Sequence, residues 1–401
     1  MKRISLLALL FFIATVSFGA VKYVFYMIGD GMGPNQVLLA EMYQGAMQGR
    51  IGRVPLQMTS FPYTGFATTY SASNGITDSA AGGTALSTGH KTNNGCLGVD
   101  KDSIPVESIA EKLHHAGWPV GIMTSVAIDH ATPGAFYAHV DKRSKYYQIG
   151  HQLAETDYEF FGGAGFHKPV KKKDASAPNL YDYCELQGYV FAHGYKDAQS
   201  KLEDTKKLIL IQENDGIDRT QGCDCLPYAI DRKPGDLTLP QITQTAIDFL
   251  APQGQFFMMI EGGKIDYACH ANDAATVIGE VLDFDEAIKV VYKFYEEHPD
   301  ETLIVITADH ETGGLALGNS EYTLNLPVLS QQKQSRWEAG KSKKAQKAID
   351  KINKDAKIGW TTGAHSDANV PVFAVGVGAE LFSGWYDNTD IVKKIYEIIG
   401  E

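Results

Sequence analysis

Short apolar runs alternate along this chain with amphipathic stretches of helical length, and that alternation most constrains the fold. Five runs rich in β-branched and aromatic residues predict buried strands, at 21–28, 120–125, 256–260, 302–307 and 370–375. Helical periodicity is clearest over 104–116 and 272–298, where apolar residues recur every three or four positions. Such alternation is typical of an α/β fold, a large, mostly parallel central sheet with helices on both faces.

The chain has 401 residues, enough for one large domain or for two to three smaller ones. Two segments interrupt the alternation, at about 162–240 and 317–359. No repeat of 20–50 residues is visible, as a solenoid would require. We therefore interpret residues 21–401 as a single domain that carries both segments as insertions.

Residues 1–20 have the three-part pattern of a signal peptide. Lys2 and Arg3 precede an apolar run over 6–13, and small residues follow over 17–20. The run is too short to span a bilayer, and no later segment predicts a transmembrane helix. A buried N-terminal strand or helix is the alternative, but it explains neither flank. We predict export to the periplasm or secretion.

The charge balance limits the partners of the chain. With 36 Lys plus Arg against 48 Asp plus Glu, the formal net charge is −12, which disfavours a nucleic-acid partner because such binding needs a basic footprint. One segment, 333–357, is strongly basic, with eight lysines and Arg336 against three acidic residues. It either steers anionic substrates, rests on an anionic surface, or forms an ordinary solvated helix.

The five cysteines allow at most two disulfides and leave at least one thiol unpaired: Cys96, Cys184, Cys223, Cys225 and Cys269. Cys223 and Cys225 are separated by one residue, whereas zinc knuckles use a two-residue gap and a second pair. We interpret them as a loop disulfide or as buried thiols.

Polar clusters follow three of the predicted strands. Asp30 lies in a glycine-rich segment after the first run, Glu261 directly follows the run at 256–260, and Asp309 with His310 follows the run at 302–307. Ligands of open α/β sheets bind beyond the carboxyl ends of the strands. The three strand ends therefore predict one shared site, although a glycine turn with a capping Asp would explain the first cluster alone.

Two more motifs add imidazoles to this set. Asp266 and His270 are one helical turn apart, so both can reach one cation, and His365 precedes the last predicted strand. A solvated acid and surface histidines are the alternative. Together the seven candidate ligands exceed one tetrahedral zinc site, which predicts at least two metals, with the oxygen-rich remainder suited to magnesium: Asp30, Glu261, Asp266, Asp309, His270, His310 and His365.

Ser79 stands at the predicted start of a helix of small residues. Thr77, Asp78 or Ser79 could each cap that helix. A serine at a helix N-terminus is also an exposed nucleophile, because the free amides and the helix dipole favour bound phosphate there.

These motifs resemble those of the alkaline phosphatase family. The similar segments are Gly-Asp-Gly-Met-Gly at 29–33, Thr-Asp-Ser-Ala-Ala at 77–81, the run at 130–143 with Thr132 and Arg143, Glu-Gly-Gly-Lys-Ile-Asp-Tyr-Ala-Cys-His at 261–270, Asp309-His310 and His365. They occur in the family's order over about 21–376. The resemblance thus covers nearly the whole chain after residue 20.

The resemblance implies three metal sites, given residue by residue. A first zinc would bind Asp266, His270 and His365, and a second would bind Asp30, Asp309 and His310 with Ser79 at its open position. Magnesium would bind Asp30, Thr132 and Glu261. Arg143 would hold the phosphate with its planar fork.

The implied activity is hydrolysis of phosphate monoesters through a phosphoseryl intermediate on Ser79, with the two zincs flanking the phosphorus. A homodimer is a possible assembly. Two positions depart from the best-known enteric bacterial pattern, since His130 replaces an Asp near magnesium and Tyr267 replaces a Lys near the phosphate. An imidazole at 130 could weaken magnesium or admit zinc at the third site.

Two alternatives compete with this interpretation. A phosphodiesterase or nucleotide pyrophosphatase of the same superfamily would have similar zinc ligands, but Arg143, Thr132 and Glu261 favour a dianionic monoester. A non-catalytic exported scavenger of phosphate or zinc would not need Ser79 together with every metal position.

Overall fold

The computed structural model describes residues 21–172, 174, 176–212, 225–319 and 322–400. The predicted signal peptide, residues 1–20, lies outside the described residues. The strands in chain order are β1 (Tyr23–Gly29), β2 (Tyr63–Thr68), β3 (Val120–Thr124), β4 (Phe160–Gly163), β5 (Val190–His193), β6 (Leu208–Ile211), β7 (Phe256–Gly262), β8 (Thr302–Thr307), β9 (Glu311–Thr312), β10 (Leu315–Leu317), β11 (Ile358–Trp360), β12 (His365–Ser366), β13 (Val370–Gly376) and β14 (Gly384–Asp387).

Ten of these strands form one central sheet, in the order β14-β2-β13-β8-β1-β7-β3-β4-β6-β5. Only β13 runs antiparallel to its neighbours, β2 and β8. The four short strands form two small antiparallel pairs, β10 with β11 and β9 with β12. The five predicted strands correspond to β1, β3, β7, β8 and β13, and the predicted α/β fold with a mostly parallel sheet is confirmed.

The helices cover both faces of the sheet. They are α1 (Pro34–Met47), α2 (Ser79–Thr88), α3 (Ile109–His115), α4 (Ala131–Gly134), α5 (Tyr146–Glu155), α6 (Leu180–Leu186), α7 (Tyr195–Gln199), α8 (Leu239–Leu250), α9 (Lys264–His270), α10 (Ala274–Glu297), α11 (Lys343–Asp355) and α12 (Thr389–Ile399). The two faces are evident at β7, where successive side chains point to opposite sides. Phe256 contacts Phe294 of α10 at 5.6 Å between ring centroids, whereas Phe257 stacks on Phe136, just after α4, at 6.3 Å.

The predicted bounds agree with the structure for one of the two helices and not for the other. The pattern over 272–298 corresponds to α10, which begins after its cap Asp273. The pattern over 104–116 overestimates α3, which begins only at Ile109. The reason is a capping box, in which the Ser108 hydroxyl accepts from the Glu111 amide and the Glu111 carboxylate accepts from the Ser108 amide.

The segment predicted as a first insertion, at about 162–240, adds to the sheet. It contains α6, β5, α7 and β6, and the two strands extend the sheet beyond β4 in parallel. The second segment, at about 317–359, contains α11 and β11, and β11 pairs with β10. The single-domain interpretation stays a prediction.

The cysteines in the described residues fall into two groups. Cys96, Cys184 and Cys269 are free and buried. Cys225 is disulfide-bonded, and the neighbouring Cys223 lies outside the described residues. Within the described ranges, no helix combines the length and the apolar character needed to cross a membrane.

Truncation of a phenylalanine should lower the free energy of unfolding more at a buried position than at an exposed one. Phe257→Ala should lower the free energy of unfolding by about 3–5 kcal/mol, because Phe257 is fully buried at the centre of the sheet. The control Phe66→Ala, at a side chain that is 39% exposed, should cost less than about 1.5 kcal/mol. Urea unfolding at one fixed metal concentration measures both. Equal costs would contradict the described packing.

Candidate active site

Aligned ends of parallel strands create the site. β1 lies between β7 and β8, and Ile28 pairs with both Glu261 and Thr307, so the three strands end at the same level. Asp30 follows β1 directly, Glu261 is the last residue but one of β7, and Asp309 comes two residues after β8. The prediction that these strand ends converge is therefore confirmed.

The glycines around these ligands permit close packing. Gly31 has a left-handed backbone, φ +70°, and its amide donates to Asp309 Oδ1 at 3.2 Å. A Cβ atom on Gly82 of α2 would lie 2.9 Å from the Asp309 carbonyl oxygen. Any larger side chain at 82 would therefore separate the helix that carries Ser79 from the end of β8.

The first cluster contains Asp266, His270 and His365. The His270 Nε2 atom lies 3.3 Å from Asp266 Oδ2 and 3.2 Å from His365 Nε2, and the latter lies 3.7 Å from Asp266 Oδ1. Asp266 and His270 are on one face of α9, as the four-residue spacing predicted.

The orientation of both imidazoles in this cluster suits a metal. His270 Nδ1 donates to the Gly363 carbonyl at 2.7 Å and His365 Nδ1 donates to the Thr77 carbonyl at 2.8 Å. A carbonyl can only accept, so each Nδ1 carries a proton, and the two Nε2 atoms that face each other are the ones that can bind a metal. Metal-ligating histidines are oriented in this way.

The second cluster surrounds His310 and is fully buried. His310 Nε2 lies 3.4 Å from Asp30 Oδ1, 3.3 Å from Asp309 Oδ2 and 3.2 Å from Ser79 Oγ. Neither of these two carboxylate oxygens has a hydrogen-bond donor within the described part of the chain. Buried unpaired carboxylate oxygens are costly, so this donor set fits a cation.

The third cluster contains Asp30, His130 and Glu261, whose ligand atoms lie within 4.8 Å of one another. Glu261 Oε1, His130 Nδ1 and Thr132 Oγ1 are buried, and none has a partner among the described residues. The other Glu261 oxygen accepts from the Thr124 hydroxyl. His130 therefore lies where a direct ligand would, and Thr132, two residues further along the chain, is buried beside Glu261.

Arg143 is held between two partners. Its guanidinium donates to Asp78 Oδ2 at 3.2 Å and lies 3.4 Å from His130 Nε2, which also lies 3.2 Å from the Tyr267 hydroxyl. Burial and the Arg143 charge lower the pKa of His130 to about 3, so the ring is neutral. In the tautomer whose Nε2 proton is donated to the Tyr267 hydroxyl, the unpartnered Nδ1 has the lone pair that a metal needs.

Two residues that the sequence did not single out as site residues organise these clusters. Asp78 caps α2 by accepting from the Ala81 amide, and the same carboxylate orients Arg143. Thr312 Oγ1 donates to Asp266 Oδ1 at 2.6 Å and lies 3.2 Å from His310 Nδ1, so one hydroxyl joins the first two clusters. The capping motif pointed to Asp78, but no sequence signal distinguished Thr312.

The carboxylates of the site oppose one another's ionisation. Burial, and then the neighbouring Asp309, raise the pKa of Asp30 well above its usual range, and burial raises the pKa of Glu261 to about 7. Burial disfavours the charged form of His270, but the Asp266 carboxylate outweighs this and raises the pKa of His270 to about 9. Without metals, protons therefore take the place of cations in this site.

The fold and the site together define an α/β enzyme with a serine and clustered acidic and histidine ligands beyond its central strands. The family model for alkaline phosphatase matches residues 21–160 and 221–400. Alkaline phosphatase 4 of Bacillus subtilis is 32% identical over 94% of this chain and 89% of that protein. The chain belongs to the alkaline phosphatase family and is a phosphoric monoester hydrolase.

Solved structures are similar over the same length. The cold-active alkaline phosphatase of Shewanella sp. superposes with a TM-score of 0.83 at 29% identity, covering 94% of this chain and 100% of that one. The enzyme of the Antarctic bacterium TAB5 gives 0.77 at 29% identity, covering 95% and 99%. Two TAB5 mutants, in which a histidine is replaced by Glu or Asp, are described with Mg bound in the M3 site.

Metal removal should make stability depend on pH between about 5 and 9. The folded pKa of Glu261, about 7, exceeds its ordinary 4.5, and that of His270, about 9, exceeds 6.5. Both groups keep their protons to a higher pH in the folded state than in the unfolded state. The contribution of each to the free energy of unfolding is therefore lost as pH rises from its ordinary pKa to its folded pKa. The free energy of unfolding of chelated protein should therefore decrease from about pH 6.5 to 9, because below pH 6.5 the lowered pKa values of His130 and His310 oppose the effect of Glu261.

Urea unfolding of chelated and zinc- and magnesium-reconstituted protein across this range measures the effect. Glu280, whose pKa burial raises to about 7, lies outside the three clusters and titrates in both samples, so the difference between the two curves reports the site. A chelated protein whose stability rose relative to the reconstituted one would contradict these pKa directions.

Proposed function

We propose that the chain hydrolyses phosphate monoesters through a phosphoseryl intermediate on Ser79, with two zinc ions and one magnesium ion in the three clusters. The observation that carries this proposal is the position of Ser79 Oγ, 3.2 Å from His310 Nε2, the same atom that lies 3.4 and 3.3 Å from the unpartnered oxygens of Asp30 and Asp309. A hydroxyl there can attack a phosphorus atom in line with the bond to the leaving oxygen, which departs on the opposite side.

The donor sets support the metal assignment. The first cluster offers two imidazoles and one carboxylate, and the second one imidazole and two carboxylates, which both suit zinc. When bound, the metal ions would stabilise negative charge on the attacking and leaving oxygens and lower the pKa of a nucleophilic water. We assign Asp266, His270 and His365 to one zinc, Asp30, Asp309, His310 and Ser79 to the other, and Asp30, Thr132 and Glu261 to magnesium.

Ser79 acts as the nucleophile. It is the first residue of α2, so the free amides at the start of that helix face the phosphate. Its side chain is only 2% exposed, so bulk water is excluded from the nucleophile. Its oxygen attacks phosphorus, the substrate alcohol leaves, and water then releases phosphate from the serine. Two successive displacements give retention at phosphorus and allow transfer to alcohol acceptors.

Arg143 binds the phosphate dianion during both displacements. Its guanidinium is fixed by Asp78, the residue before Ser79, so the cation and the nucleophile are positioned by the same helix start. A planar fork suits two phosphate oxygens at once. The ion pair with Asp78 also limits the freedom of a long side chain before substrate binds.

The third site differs from an all-oxygen site because His130 lies beside Asp30 and Glu261. Imidazole is a better ligand for zinc than for magnesium. The TAB5 mutants described with Mg in the M3 site each have a carboxylate in place of a histidine. By analogy, we propose that His130 reduces the preference of this site for magnesium.

Two wider properties belong to the same proposal. Residues 1–20 direct export, which places the enzyme in the periplasm or outside the cell. A homodimer is the assembly we propose for the exported chain.

Ser79→Ala should abolish turnover while metal binding persists. Loss of the attacking oxygen should lower kcat for an aryl phosphate at least about a thousandfold, with zinc content unchanged by elemental analysis. Ser87→Ala is the control, because Ser87 lies on the same helix and donates to the Ala135 carbonyl away from the site. Unchanged turnover in Ser79→Ala, or faster cleavage of the matching aryl diester by the parent enzyme, would overturn the mechanism.

His130→Asp should shift the third site toward magnesium. We expect more magnesium per chain after dialysis against equal zinc and magnesium, and a larger increase of kcat on magnesium addition, because an oxygen replaces the nitrogen ligand. Tyr267→Phe is the control, since it removes only the hydroxyl that contacts His130. The same metal content in parent and His130→Asp would contradict a ligand role for His130.

A further inference from the structure

The helix α11 presents a continuous face of lysines to solvent. Lys343, Lys344, Lys347, Lys351 and Lys354 are all exposed. At about 100° per residue these five positions fall within an arc of about 100°, and they extend over about 16 Å of the helix axis. We call these five residues the lysine face.

The opposite side of α11 is fixed against the protein. Ile349 is 4% exposed, and the buried Asn353 accepts a hydrogen bond from the Ala274 amide at 3.1 Å. The apolar stripe of the helix is therefore already used for packing. The lysine face can neither turn inward nor exchange places with that stripe.

Most of the charge on this face is not neutralised. Lys351 pairs with Asp355, and Asp350 is engaged by Arg336 at 2.6 Å. The other four lysines form no ion pair within the described ranges, namely Lys343, Lys344, Lys347 and Lys354. Four unneutralised ammonium groups thus project from one side of a chain with net charge −12.

Exposed apolar side chains lie in the segment that is attached to the C-terminal end of α11. The Asn325 amide donates to the Ala356 carbonyl at 3.4 Å, which attaches the preceding segment to the C-terminal end of α11. Tyr322 in that segment is fully exposed, and Leu324 is 37% exposed. The hydrolysis of a phosphate ester requires neither the lysine face nor these exposed apolar side chains.

We propose that the lysine face is a docking surface for a lipid bilayer with anionic headgroups. Clustered lysines bind such surfaces electrostatically, and neighbouring aromatic and aliphatic side chains enter the interface. Because the lysines lie within an arc of about 100° along one side of the helix, they can approach a planar anionic surface together. A nucleic-acid partner is disfavoured because it needs a broad basic footprint, which a chain with net charge −12 lacks.

This inference goes beyond the proposed function, because binding to a bilayer needs neither Ser79 nor a metal. It also separates two alternatives for the basic segment. Steering of small substrates would change kcat/KM for soluble phosphate esters, whereas docking changes only where the enzyme resides.

The test uses the mature holoenzyme and sedimentation with vesicles. Parent enzyme should bind vesicles of phosphatidylcholine with 30% phosphatidylglycerol in low salt, and should not bind pure phosphatidylcholine vesicles. The variant in which Lys343, Lys344, Lys347 and Lys354 are all changed to Gln should have a partition coefficient lower by about 600-fold, since each lysine near such a surface contributes a factor of about five. High salt should abolish binding by the parent.

The matched control changes four other exposed lysines to Gln, at Lys196, Lys206, Lys233 and Lys293. It loses the same charge and should bind vesicles like the parent. Equal binding by both variants, or no binding by the parent, would overturn the proposal. Retention of duplex DNA by the parent without vesicle binding would instead assign the face to nucleic acid.

Activity on a soluble aryl phosphate distinguishes this inference from the catalytic proposal. Both quadruple variants should keep the parent's kcat/KM and its salt dependence. A selective fall in kcat/KM at low salt for the α11 variant would assign the face to substrate steering and contradict a purely docking role. An inactive parent that still binds vesicles would refute only the catalytic proposal.

Discussion

The mutual repulsion of buried carboxylates is the constraint on which the site depends. Asp30, Glu261 and Asp309 lie at the ends of adjacent strands, are at most 1% exposed, and each has an oxygen without a hydrogen-bond donor in the described residues. Burial would protonate them, and only nearby positive charge keeps them ionised. In the function we propose, divalent cations supply that charge, and they also account for the Nε2 atoms of His270 and His365, which lie 3.2 Å apart.

The fold brings these charges together because of strand register. Parallel pairing of β1 with β7 and β8 fixes three strand ends at one level, and α2 and α9 then place Ser79 and Asp266 over that edge. Aromatic packing on both sides of β7 stabilises the core beneath this edge of the sheet. Asp78 connects the nucleophile's helix to Arg143, and Thr312 connects two ligand clusters, so the site is positioned from several elements at once.

Much of this arrangement could be predicted from the sequence, for identifiable reasons. Apolar runs marked the central strands because those strands are buried on both faces, and the four-residue spacing of Asp266 and His270 placed them on one helical face. The role of Thr312 could not be predicted, since it depends on the approach of α9 to the end of β8. The start of α3 was misplaced because a capping box at Ser108 outweighed the periodicity before it.

Anomalous diffraction at the zinc edge, on crystals of the zinc- and magnesium-reconstituted enzyme, tests the central claim most directly. The account predicts two strong peaks, one among Asp266, His270 and His365 and one among Asp30, Asp309 and His310, with Ser79 Oγ facing the second. Absence of a peak at both clusters, with the carboxylates protonated or paired to other side chains, would contradict it.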